Sequence, residues 1–190
     1  GEPVNGQVAV DTFEPVSLCW MMLDEFVDKN IVGWKQIETM LRATLETSKT
    51  GNARRLAALM FNATQMKAYA ALMKNPRQWL AGQNAPKTTA DIALVTIALS
   101  RLARGDREAE TNYIQKNWAN SVPKADLEWV WGQFGLIAAL NVEPNAVQWY
   151  RRSGNIPKTD YNHAWEVRSE LRQAPIDWVL VSRAIQKMTP

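Results

Sequence analysis

From Leu18 to Met188 the apolar residues of this chain recur at three- and four-residue spacing, and no stretch sustains the apolar–polar alternation of a strand. That pattern confines the fold to helices packed on helices. The clearest instance lies between Asn162 and Met188, where Trp165, Arg168, Leu171 and Arg172 share one helical face. Ile176, Val179, Ile185 and Met188 share another around Trp178. These residues predict two amphipathic helices joined by a short corner, with Pro175 opening the second helix, where its missing N–H costs nothing.

The same reading along the chain predicts helices over 15–28, 33–48, 51–61, 64–74, 76–82, 88–104, 106–119, 123–141, 144–153, 160–174 and 175–188. Asn75-Pro76 and Glu143-Pro144 place proline in a first turn, and Thr88-x-x-Asp91 has the form of a capping box. Gly51, Gly105 and Gly154 are expected to stop helices, because glycine takes the left-handed conformation that closes them. Gly51-Asn52 and Gly105-Asp106 are expected to supply the next cap as well. The run Ile92–Leu99 is apolar enough for a buried strand, but it continues to Arg104 and is rich in Ala and Leu, so helix is expected. Being apolar on most of its circumference, that helix should be enclosed by neighbours. Many short helices on tight corners predict an all-α, irregular right-handed superhelix, a solenoid of helix pairs each covering the next. No 34-residue period supports a regular tetratricopeptide array. Gln83–Lys87 is too short for a domain linker, so residues 1–190 are expected to form a single superhelical segment.

At 190 residues the chain is long enough for a sizeable core, and 46% apolar with 22% charged content is ordinary for a folded protein. The longest apolar run, 92–99, is far short of the roughly 20 residues that span a bilayer, so no membrane span is expected. The formal charge of +3 is spread among acids along every helix rather than gathered into a basic stripe. No nucleic-acid partner is therefore expected.

Chemistry is sparse. Cys19 and His163 are each alone of their type, which gives no nucleophile pair and too few ligands for a structural zinc site. No phosphate loop or dinucleotide fingerprint occurs, so neither metal nor cofactor is expected. Gly132 and Gly135 lie inside a helical pattern and read as points of close packing or a bend. Glu166 and Glu170 share a helix face flanked by Arg168 and Arg172, the usual form of a solvated charge ladder. Nine tryptophans are many for this length, and most are read as core. Trp129 and Trp131 point to roughly opposite sides of one helix, which leaves at least one of them able to face solvent. Trp149, Tyr150, Arg151 and Arg152 are the candidate binding residues, since aromatic and guanidinium groups meet there beside a helix end. No catalytic residue is assigned.

Arg168-x-x-Leu171-Arg172, then Asp177-Trp178, then Ala184-Ile185-x-x-Met188-x-Pro190 resembles a stretch in the helical superhelix of the soluble lytic transglycosylases. Arg101-Leu-Ala-Arg104-Gly105-Asp106-x-Glu-Ala109 is similar to an earlier corner of it, and helix order and spacing are similar from about Leu18 to Pro190. The resemblance implies a periplasmic protein of a Gram-negative bacterium and a parent enzyme that cleaves peptidoglycan glycan strands. Cleavage falls between N-acetylmuramic acid and N-acetylglucosamine, leaves a 1,6-anhydro product and uses no cofactor. That family's activity resides in a C-terminal lysozyme-like domain marked by a Glu-Ser pair and a Gly-Leu-Met-Gln segment. Here Ser169-Glu170 has the reverse order and Gly135-Leu136-Ile137 lacks the polar residue. The expectation is therefore a non-catalytic fragment of the U-shaped superhelix, inactive alone. Its partners would be the missing catalytic domain and, through the parent enzyme, the glycan strands. The alternative is a helical-repeat adaptor that binds a peptide or protein.

Overall fold

The computed structural model describes residues 17–47 and 49–189. Among them the chain is all-α: eleven α-helices, one 3-10 turn and no strand. The chain divides into two compact units, Gly1–Lys67 and Ala68–Pro190.

In the first unit α1 (Ser17–Asp28), α2 (Trp34–Glu46) and α3 (Thr50–Met60) precede the start of α4 (Ala63–Lys74). Ile37, Leu41 and Leu45 recur every fourth residue on α2 and are buried. They pack with Ala53, Leu56, Ala57 and Met60 of α3, and the Trp34 indole N–H donates to the Met60 carbonyl at 3.3 Å. The Arg55 guanidinium lies 4.5 Å from the Trp20 ring centre and 3.6 Å from Asp24. Gly51 sits in the first turn of α3 with open space where a Cβ would project, so it does not stop the preceding helix as expected.

The second unit holds the rest of α4, then α5 (Pro76–Ala81), α6 (Thr89–Arg101), the 3-10 turn Leu102–Arg104, α7 (Arg107–Asn117) and α8 (Lys124–Leu140). It ends with α9 (Ala146–Arg152), α10 (Asp160–Leu171) and α11 (Trp178–Gln186). Side-chain caps fix most starts. Asn75 accepts from the Gln78 N–H, Thr88 and Asp91 form the predicted reciprocal box, and Asp106 accepts from the Ala109 N–H. Two expected proline starts move. Pro144 lies ahead of α9, and Pro175, which follows a cis peptide bond, lies ahead of α11, whose cap is the Asp177 carboxylate receiving the Val179 and Leu180 N–H groups. An acceptor for two otherwise unpaired amides locates a helix start more strongly than a residue that merely lacks one.

α8 is the centre of this unit, packed against α6, α9 and α10. Every residue from Ala93 to Ser100 on α6 is buried, as a helix enclosed by neighbours requires. On α8 burial runs unbroken from Trp129 to Leu136, so Trp129 and Trp131 are both buried, each 5% exposed, and neither faces solvent. A helix covered on more than one side can bury opposite faces. Its C-terminus closes with the Glu143 N–H on the Ala138 carbonyl (2.9 Å) and the Val142 N–H on Ala139 (3.0 Å). That closure places Val142 at φ +58°, a left-handed conformation that a β-branched residue adopts only under strain. Gly154 takes the same conformation after α9 without that cost.

Candidate functional site

The four residues singled out from the sequence occupy α9, and the structure separates them. Trp149 is in the core with its indole N–H donating to Thr111 Oγ1 at 2.9 Å and its ring tilted against Phe134. Tyr150 is 1% exposed. Its ring lies so close to α8 that a Cβ on Gly135 would meet ring carbons at 2.9 Å, and its hydroxyl donates to the Asn162 carbonyl. The predicted reading of Gly135 as a point of close packing holds. Arg151 and Arg152 alone reach the surface. Arg151 pairs with the buried Glu170 at 3.2 Å, while Arg152 covers the Trp131 ring at 4.0 Å and donates to Gln115 at 2.7 Å. The Trp131 face that could stack on a sugar is thus occupied by a guanidinium from the chain itself.

What the sequence reading missed is the inner face of α10. Its buried residues are Asn162, His163, Glu166, Ser169 and Glu170, all polar, at the three- and four-residue spacing of one helical stripe. The stripe assigned from the sequence, with Arg168, Leu171 and Arg172, is the exposed one. Glu166 and Glu170 are therefore not a solvated ladder. Each is held by cations that the local sequence does not reveal, because Lys158 comes from the loop before α10 and Arg151 from α9.

Lys158 is the unusual member: its side chain is 1% exposed and its ammonium lies 3.5 Å from Glu166 Oε2, beneath the Tyr150 ring. Gly132 makes the room, since a Cβ there would stand 3.2 Å from Lys158 Cε. His163, 1% exposed, places Nδ1 2.9 Å from the same carboxylate oxygen, and its Nε2 receives the Lys158 backbone N–H at 3.3 Å. A backbone N–H only donates, so Nε2 carries no proton and Nδ1 donates to Glu166. Burial pushes the Glu166 carboxyl up, but the His163 hydrogen bond and the positive charges of Lys158 and Lys187 outweigh it and hold the group below its ordinary value. A carboxyl so placed is a fixed anion, the opposite of a proton donor poised near neutrality. Among the described residues no three or more His, Cys, Asp or Glu side chains gather as a metal site, and no helix is long and apolar enough to cross a membrane.

The outer face of α11 carries exposed apolar side chains beside Ser182, Arg183 and Gln186. Trp178, Val179 and Ile185 are each more than half exposed, whereas Val181 and Ala184 turn inward. Of the periodic residues that marked this helix in the sequence, Val179 and Ile185 lie on its solvent face, whereas Ile176 and Met188 are half-buried beyond its ends.

The fold has a solved counterpart. The X-ray structure of an inactive mutant of the lytic transglycosylase Slt from Pseudomonas aeruginosa superposes with a TM-score of 0.56 at 17% identity, over 97% of this chain and 31% of that one. The likeness is one of fold, and this chain spans about a third of that enzyme's length. No protein-family model and no curated protein matches the chain.

Proposed function

We propose that this chain is a non-catalytic scaffold segment of a lytic transglycosylase, part of a right-handed helical superhelix that positions peptidoglycan glycan strands for a separate catalytic domain in the Gram-negative periplasm. The parent enzyme would cleave between N-acetylmuramic acid and N-acetylglucosamine with 1,6-anhydro product formation. The observation that carries the reading is the superposition of nearly the whole chain on part of a lytic transglycosylase. Cleavage of this kind needs an acid beside the glycosidic oxygen, in surroundings that raise its pKa. The buried carboxylate of Glu166 is not set up as such an acid, since it is held the other way. Arg151 and Arg152, exposed side by side, are the residues proposed to meet the strand. Sedimentation of the purified chain with sacculi tests this: binding should weaken with salt and fall in the Arg151→Ala, Arg152→Ala double variant. Binding untouched by that change removes these residues from the account.

A second reading is supported by the α11 face. Trp178 and Val179 line an open groove of about 420 Å³ with Ser182, Arg183 and Gln186. An adaptor for a peptide or protein would use such a face, and Trp178→Ala would then abolish binding while leaving sacculus sedimentation unchanged.

A further inference from the structure

The acids that a charge ladder on α10 would give to Arg168 and Arg172 face inward. Glu166 is held by Lys158 and His163, and Glu170 by Arg151. Among the described residues neither Arg168 nor Arg172 has a carboxylate partner, although both are exposed. Like charges four residues apart repel on a helix, so these two guanidinium groups do nothing for each other. Arg168 rests on the Trp165 ring, 4.9 Å from its centre, while Arg172 lines a cavity.

That cavity lies between the corner after α8 and the last turn of α10, has a volume of about 140 Å³, and is lined by Val142, Glu143, Pro144, Ser169, Arg172 and Gln173. Its polar groups are already bonded, with one exception. Glu143 receives two bonds from Arg107, one of them from Nε–H at 2.9 Å, so its charge is answered. The Ser169 hydroxyl donates to the Trp165 carbonyl at 2.8 Å, and the Gln173 amide donates to the Pro144 and Ser169 carbonyls at 3.4 and 3.5 Å. Only the Arg172 guanidinium brings N–H groups that have no partner among the described residues. Val142 and Pro144 supply an apolar wall. The left-handed closure of α8 puts Val142 there under strain, where a glycine would close the helix freely but leave no wall.

A cavity of roughly 150 Å³ admits benzene, so this one holds a group of about six heavy atoms. The last residue of a peptide ending in alanine is of that size: an amide nitrogen, two aliphatic carbons and a carboxylate. A guanidinium fork receives a carboxylate through two parallel N–H bonds. An inorganic anion would satisfy the fork but leave the wall bare.

We propose that this cavity binds the free C-terminal end of a peptide whose last side chain is small and apolar, Arg172 holding the carboxylate while Val142 and Pro144 cover the side chain. The site concerns a peptide end and stands independently of the scaffold reading.

The test titrates the isotopically labelled chain at pH 7.5 with N-acetyl-Ala-Ala, its C-terminal amide, N-acetyl-Ala-Trp and acetate, following backbone amide resonances. The free acid should shift amides of 142–145 and 168–173. Affinity should be at least about tenfold lower for the amide and for the Arg172→Gln variant, each of which removes a charge-assisted pair, and N-acetyl-Ala-Trp and acetate should bind more weakly than the free acid. Val142→Gly should weaken binding at least about threefold by removing apolar cover, while the chain becomes no less stable. Equal binding of acid and amide would overturn the site on the unaltered chain, even if a variant misfolds. So would shifts elsewhere or none, acetate binding as well as the peptide, or affinity unmoved in a folded Arg172→Gln variant. Sacculus sedimentation tests the scaffold reading separately, and its failure leaves these outcomes unchanged.

Discussion

Glu166→Gln is the perturbation that most directly questions how the second unit is held together. The substitution keeps the shape of the side chain and an oxygen to accept from His163 Nδ1, and it removes only the charge. Lys158, with a side chain 1% exposed and its ammonium 3.5 Å from the carboxylate, would be left as a buried cation facing a neutral amide. Removing one partner of a buried ion pair costs about 3–5 kcal/mol, because the remaining charge has given up its hydration without compensation. At about 2–4 °C per kcal/mol for a chain of this length, the melting temperature should drop by roughly 6–20 °C. Lys158→Met should cost less, about 1–3 kcal/mol, since Glu166 keeps the His163 hydrogen bond and some solvent contact. The double variant should then be more stable than the two single losses summed, with a coupling of about 1–3 kcal/mol. Urea unfolding at pH 7.5, followed by tryptophan fluorescence and circular dichroism, measures all four corners of the cycle. A Glu166→Gln loss under about 1 kcal/mol, with additive behaviour in the double variant, would refute the claim that this pair is buried and coupled.

Other consequences follow from single features. The folded-state pKa of Glu166 is depressed, so the stability it contributes is complete above its ordinary value of 4.5 and is lost as pH falls through the lower folded value. Urea midpoints should accordingly drop below about pH 4.5, and less steeply in Glu166→Gln. Two glycine-to-alanine changes should have opposite signs by the same assay. Gly51→Ala, exposed in α3 with nothing within 4 Å of its Cβ, should gain about 0.5–1 kcal/mol, whereas Gly135→Ala, driven onto the buried Tyr150 ring, should lose about 1–3 kcal/mol. Val142→Gly should relieve a left-handed β-branched residue that is 62% exposed and raise stability by about 0.5–1 kcal/mol.

The helices were legible because their punctuation is local. A capping box at Thr88 and Asp91, a cap before Pro76 and a glycine at position 154 act within a turn or two, and among the described residues eleven helices appear where spacing and caps placed them, apart from shifts of a few residues at their ends; positions 15, 16 and 48, expected to be helical, lie outside the described residues. Which face each helix turns inward is not local. On α10 the rule that apolar residues are buried selects the wrong side, because the inner side is satisfied by groups distant along the chain: Arg151 for Glu170, Lys158 for Glu166 and the Gly132 carbonyl for Asn162. The signal that was present is the pair Gly132 and Gly135, since two glycines three apart in a helix interior announce that something bulky lies against it. Nothing in the sequence says that the bulky groups are a lysine stem and a tyrosine ring. The candidate site fared likewise: Trp149 and Tyr150 sit beside two arginines in sequence, but one helical turn sends the aromatic pair into the core and the guanidinium pair outward.

The scaffold assignment is tested most directly by incubating the purified chain with sacculi and resolving the soluble products by mass spectrometry. The account predicts no 1,6-anhydro-muropeptides, and release only when a competent catalytic domain is supplied. Anhydro product from this chain alone, abolished by changing one of its own glutamates, would contradict it.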